Sequence, residues 1–149
     1  KRIKVELDSA SIYYAMGSWC RYKGFNNVAK FFFTHGDEEK SHAQKVIDYL
    51  DDKNCMAIIP IISKPEITEY KDIRSLFDLS MEHEMSVTKS YNELATIALR
   101  ENDHEVYQFA QHMLEEQREE MIIYDNYLDK LDLLGDGPQS CFLFDQSFE

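Results

Sequence analysis

His35-Gly36-Asp37-Glu38-Glu39-Lys40-Ser41-His42-Ala43 lies inside a long segment of helical periodicity. Glu39 and His42 are three residues apart, so on an α-helix they share one face. The rest of that face is largely apolar: Val28, Phe32, His35, Glu39, His42, Val46 and Tyr49 follow one another at bundle-seam spacing. An isolated E-x-x-H is common and carries little information. Set in an apolar seam, it buries a carboxylate beside an imidazole, which is costly unless a cation compensates them.

The same interruption recurs along the chain. A first segment, from the start to about Tyr22 and ending near Gly24, has the seam Ile3, Glu6, Ala10, Tyr13, Gly17, Cys20. The second runs to about Asp52, with Asn26 or Asn27 as its expected cap. A third spans roughly Lys71 to Arg100, with Ile73, Phe77, Ser80, Glu84, Val87, Tyr91, Leu94 and Ala98 on its seam. The fourth follows Asn102-Asp103 and runs to about Leu134 through Val106, Ala110, Met113, Gln117, Glu120, Tyr124, Tyr127 and Leu131. Glu6, Glu39, His42, Glu84, Gln117 and Glu120 thus break four apolar seams at comparable depth. Carboxylates able to bridge two ions, with few imidazoles, suit iron or manganese rather than thiolate-loving metals.

Short links between the first and second segments, and between the third and fourth, predict two antiparallel hairpins. Residues 54–70 differ: they contain Pro60, Pro65 and the run Ala57-Ile58-Ile59-Pro60-Ile61-Ile62. A helix of about 27 residues, such as the second, spans roughly 40 Å. The extended link can reach about 55 Å, enough to return along the bundle and make the second and third helices parallel. Its isoleucines would need a partner subunit over them. Gly135, Gly137 and Pro138 stop the fourth helix, leaving Phe142, Leu143, Phe144 and Phe148 for a short fifth helix or a docking tail at about 139–149.

The chain of 149 residues, with 5 Gly and 3 Pro, reads as one all-α domain, its bundle at about 1–134. A net charge of −12 argues against nucleic acid and anionic membrane as partners. Cys20, Cys55 and Cys141 form no metal or disulfide spacing and read as inert, which predicts a reduced cytoplasmic setting. No run approaches the roughly 20 apolar residues of a membrane span. The chain begins without Met and inside a helix, so a few residues are expected to precede Lys1. Trp19, Tyr91, Tyr124 and Tyr127 read as core; His35 and His112 read as packed or surface histidines.

Nearly the whole chain carries a further pattern: Val5-Glu6-Leu7-Asp8-Ser9-Ala10-Ser11-Ile12-Tyr13-Tyr14, Met16-Gly17-Ser18-Trp19-Cys20, the stretch 35–43, His83-Glu84 and Glu116-Gln117-Arg118-Glu119-Glu120. In this order the motifs resemble the ferritins, specifically the non-haem ferritins of the bacterial type. The resemblance implies a ferritin-like four-helix bundle with a long crossover and a short C-terminal helix. It implies a first iron held by Glu6, Glu39 and His42, with Glu39 bridging. Glu84 and Glu120 would complete the second site, with Gln117 beside it. Glu38, Glu116 and Glu119 would form a third iron position towards the shell interior, where Arg118 is an unusual neighbour. Tyr13 would stand next to the ferroxidase centre. Lys40 replaces the methionine that ligates haem in haem-containing relatives, so no haem is expected.

The activity so implied is oxidation of Fe(II) to Fe(III) by O2 or H2O2 at two ions about 3–4 Å apart. Storage would follow as mineral inside a cytoplasmic homo-oligomeric shell of roughly 24 copies. A Q-x-x-E on the fourth segment, where a symmetric site would carry a second E-x-x-H, suits a centre that passes iron onward. Two rivals have distinct signatures. A purely structural shell subunit would have substituted ligands, and a soluble di-iron oxidase of rubrerythrin type would bring two E-x-x-H motifs and often a cysteine-rich iron domain.

Overall fold

The chain folds, in a computed structural model that describes residues 1–148, into five α-helices joined by turns and extended chain. They are α1 (Arg2–Lys23), α2 (Asn26–Asp52), α3 (Ile73–Arg100), α4 (His104–Leu134) and α5 (Pro138–Gln146). There is no strand among the described residues. The tail expected at 139–149 is thus a helix over most of its length, and Glu149 lies outside the described residues. No helix among the described residues is long and apolar enough to cross a membrane.

Two compact units result: residues 1–71 with 137–149, and residues 72–136. In the first, α1 and α2 form an antiparallel hairpin closed by Gly24 in the left-handed region (φ 91°), from which the Phe25 N–H returns to the Cys20 carbonyl at 2.9 Å. The helices approach closely at Gly36, where a Cβ would lie 2.8 Å from Tyr14 Cε1. Tyr14 lies over that backbone, its hydroxyl donating to Asp37 Oδ1 at 2.5 Å, with Lys40 Nζ 3.1 Å from the same oxygen and 4.7 Å from the ring centroid. Every seam residue expected on α1 is buried, and on α2 all but the half-buried Tyr49.

The link after α2 runs along α1. Lys4 Nζ donates to the Ile61 carbonyl at 3.0 Å and to Ser63 Oγ at 2.7 Å, while the Ser63 N–H donates to Asp8 Oδ1 at 2.8 Å. Further on, Tyr70 meets Trp19 edge-on with centroids 5.6 Å apart. Burial pushes the Tyr70 hydroxyl up to about 12, with Cys20 adding to the effect. Ile58, Ile59, Ile61 and Ile62 remain exposed, between 51% and 88%.

In the second unit α3 and α4 form the other antiparallel hairpin. Asp72 and Ser75 make a capping box at the start of α3, with the Ser75 N–H donating to Asp72 Oδ1 at 2.8 Å and the Asp72 N–H to Ser75 Oγ at 3.2 Å. Asp103 caps α4 by accepting from the Val106 N–H at 3.1 Å. Phe77 packs on Tyr124 and Tyr127, and Arg74 pairs with Asp132. Tyr91 and Tyr124 are fully buried, whereas Tyr127 is half-buried.

Candidate metal centre

In the first unit Glu6, Glu39 and His42 converge. Each offers one ligand atom, and these atoms lie within 4.8 Å of one another. Ligands of one ion at about 2.1 Å sit at most about 4.2 Å apart, so only a small closure separates this group from a coordination sphere. The residues are 0%, 3% and 3% exposed. The helical register brings Glu39 and His42 together, with His42 Nδ1 at 3.4 Å from Glu39 Oε2. Glu6 arrives from α1 because the hairpin is antiparallel. Two carboxylates and one imidazole at this depth form a hard anionic site whose buried charge a cation would neutralise.

Tyr13, also on α1 and fully buried, stacks on Phe32 and stands edge-on to His35 with centroids 5.8 Å apart. His35 is buried, as a packed histidine should be, and its Nδ1 lies 3.1 Å from Glu38 Oε2.

Within the second unit, Glu84 on α3 and Gln117 on α4 are both fully buried. Gln117 Nε2 donates to Glu84 Oε2 at 2.7 Å, while Gln117 Oε1, equally buried, has no hydrogen-bond partner among the described residues. A fully buried carbonyl oxygen beside a buried carboxylate is costly as it stands and is a suitable donor for a hard cation. Glu120 is half-buried one turn further along α4.

The outer acidic residues are placed differently. Glu38 is exposed and bonded to His35, Glu116 is half-buried with His112 Nε2 at 3.5 Å, and Glu119 is exposed. His112 is a surface histidine, and Arg118 reaches Glu115 at 3.9 Å on the exposed side of α4. Lys40 is occupied by Asp37 and Tyr14.

Sequence reasoning missed one residue of consequence. Neither Asn26 nor Asn27 caps α2; the N-cap position is Phe25, which has no acceptor. The cap comes from Asp145 on α5, which accepts from the Asn27 and Val28 N–H groups at 3.0 Å each. The available signal was negative: a long helix starting without Ser, Thr or Asp needs its acceptor from elsewhere. Beside it, the Cys20 thiol is pushed up to about 12 by burial, with the Asp145 charge adding to the effect.

Antiparallel helix pairs that each bury carboxylate, imidazole or amide groups on an apolar face define a class of helical-bundle proteins. The chain belongs to the ferritin-like domain family, whose pattern matches residues 1–134. It is 34% identical over 145 residues to a probable bacterial non-heme ferritin-like protein of Haemophilus influenzae, covering 97% of this chain and 87% of the relative. A bacterial non-heme ferritin of Escherichia coli is 32% identical over 146 residues, covering 98% and 88%. Among solved structures, an open pore ferritin from Archaeoglobus fulgidus superimposes with a TM-score of 0.94 at 27% identity, covering 99% of this chain and 89% of that one. The expected class, an all-α ferritin-like four-helix bundle with a short C-terminal helix, is that of these neighbours.

Proposed function

We propose that this chain stores iron and oxidises Fe(II) to Fe(III) on the way into the store. The observation that carries the reading is the buried convergence of Glu6, Glu39 and His42 within 4.8 Å. Iron is the substrate. The first Fe(II) is held by these three side chains, and the second by Glu84 and Glu120 with Gln117 beside it, Glu39 bridging the two. Two Fe(II) ions surrender two electrons, which with two protons from solvent reduce O2 to H2O2, or H2O2 to two waters. The carboxylates favour the higher charge of the ferric products.

Tyr13, on α1 with Glu6 and edge-on to His35, would orient the centre as a hydrogen-bond donor. Glu38, Glu116 and Glu119 give iron leaving the centre an acidic stepping place. The single domain assembles as a homo-oligomer, a shell of roughly 24 copies, in the cytoplasm. The exposed isoleucines of the crossover and the outward Phe142 and Leu143 of α5 supply assembly surface.

The test is anaerobic Fe(II) titration followed by air. Saturation of a fast phase at two Fe(II) per chain is expected, with that phase lost in Glu39→Ala by more than about a hundredfold, because disturbing even the partners of metal ligands costs 10–100-fold. A Glu39→Ala protein that oxidises iron as fast as the parent would falsify the assignment.

A further inference from the structure

Helix α2 starts without an acceptor of its own: Phe25 is its N-cap and no acidic residue lies in the first turn. Asp145, 6% exposed, fills that role from α5. Its Oδ1 accepts from the Asn27 and Val28 N–H groups, both at 3.0 Å, and its Oδ2 from Asn27 Nδ2 at 3.3 Å. Those amides hold the second and third helical positions, which ordinarily bond an N-cap side chain. The carboxylate also faces the positive end of a 27-residue helix.

The same end of the chain touches a second set of residues. Phe148, just past α5, meets Phe31 with centroids 5.3 Å apart, and Phe31 lies 4.2 Å from the His35 ring. His35 stands edge-on to Tyr13 at 5.8 Å, and its Nδ1 is 3.1 Å from Glu38 Oε2. Contact is therefore continuous from the C-terminal end to Tyr13 and Glu38, two residues that the proposed function assigns to iron handling. The element that begins this path is short, anchored by the buried Phe144, Asp145 and Phe148. It has nine residues, too few to persist alone, and its Phe142 and Leu143 face outward. Gly135 and Gly137, both at positive φ, join it to α4.

We propose that α5 is a strap latched onto α2 by the Asp145 carboxylate, its docking coupled through Phe148, Phe31 and His35 to the iron-centre residues Tyr13 and Glu38. The coupling rests on the reading of those residues as an iron centre; the latch does not. With the strap docked, Phe148 holds Phe31 against His35 and so fixes the imidazole that Tyr13 and Glu38 meet. Undocking frees Phe31 and lets the imidazole turn. A cation that favours the fixed arrangement must in return hold the strap down, because coupling between sites is reciprocal.

Amide hydrogen exchange on the assembled full-length protein tests both parts, with Zn(II) as a redox-silent probe. Without metal, Asp145→Ala is expected to speed exchange about tenfold in residues 26–30 and 138–148 together, the size of one lost helix cap. Asp145→Asn, which keeps an acceptor of the same shape, should give a smaller rise in the same two segments. A rise confined to one segment, or none in either variant, overturns the latch. In the parent, Zn(II) is expected to slow exchange in residues 138–148 about fivefold or more at unchanged oligomer mass. Phe31→Leu should abolish that slowing while residues 26–30 stay protected, since the Asp145 bonds remain. Equal Zn(II) protection in parent and Phe31→Leu overturns the coupling, as does none in a parent that calorimetry shows to bind Zn(II). A parent that binds no Zn(II) removes the iron-centre reading and the coupling together, leaving the latch to the metal-free data.

Discussion

The α1–α2 hairpin gathers Glu6, Glu39 and His42 within 4.8 Å, whereas the α3–α4 hairpin sets Glu84 against the amide of Gln117. Both bury their polar groups at the same depth in an apolar seam, so burial alone does not separate them. The donors do. An imidazole is a strong neutral ligand that sheds a proton near neutral pH, while an amide oxygen is a weak one. On the proposed function, the first hairpin would capture a cation and the second would hold one loosely. A site meant to pass iron on needs that inequality. The hairpins also differ in glycine: Gly17 and Gly36 sit at close contacts in α1 and α2, and α3 and α4 contain no glycine.

The most severe test of the comparison is to remove the imidazole. His42→Ala should weaken the first Fe(II) site by about a hundredfold, against roughly tenfold or less at the second site for Gln117→Ala. Anaerobic Fe(II) titration reads both. Equal losses would mean that the hairpins do not differ as ligand sets.

The inequality can also be erased from the other side. Gln117→His sets an imidazole three residues before Glu120 on α4 and should tighten the second site by about tenfold, so that iron is retained at the centre and mineral grows more slowly. Unchanged retention after a measured oxidation cycle would remove the explanation offered for Q-x-x-E.

Close approach is tested by Gly36→Ala, whose new methyl must displace the Tyr14 ring from 2.8 Å. Destabilisation of about 1–3 kcal/mol is expected, seen in denaturant unfolding, with partial recovery in Gly36→Ala/Tyr14→Ala. No loss of stability would show that the α1–α2 spacing is looser than its geometry.

The smallest effect concerns the Cys20 thiol. Folded, it keeps its proton up to about 12, whereas unfolded it releases it near the ordinary 9.0. The unfolded state therefore binds fewer protons between those values, and stability falls as pH rises through that window. The contribution is at most about 1.4 kcal/mol per pH unit above 9 and absent below it. Cys20→Ala should flatten the alkaline limb of the stability–pH curve; an identical limb would assign the loss to other groups.

Much of this was legible before any coordinates. Seam spacing located the helices to within a few residues, because apolar periodicity records which face is buried. It also located the polar breaks, because buried charge in an apolar stripe is rare enough to signal function. Asp145 was not legible. Its partners Asn27 and Val28 lie at the opposite end of the chain, and a cap supplied across such a distance leaves no local pattern. The Phe148–Phe31–His35–Tyr13 contacts were equally hidden: Phe148 read as part of a short helix or docking tail, His35 as a packed or surface histidine and Tyr13 as a neighbour of the iron centre, and no local pattern joins them.

By itself, the sequence determined an all-helical chain with carboxylates, imidazole and amide on its buried faces. Helical period and the cost of burying charge are local properties, readable residue by residue. Only the tertiary structure decided that Glu6 meets Glu39 and His42, and that Gln117 Oε1 beside Glu84 has no hydrogen-bond partner among the described residues. It alone decided that the last helix caps the second. Each of these depends on which distant faces come together, and helix packing sets that through shape and volume rather than through any pattern along the chain.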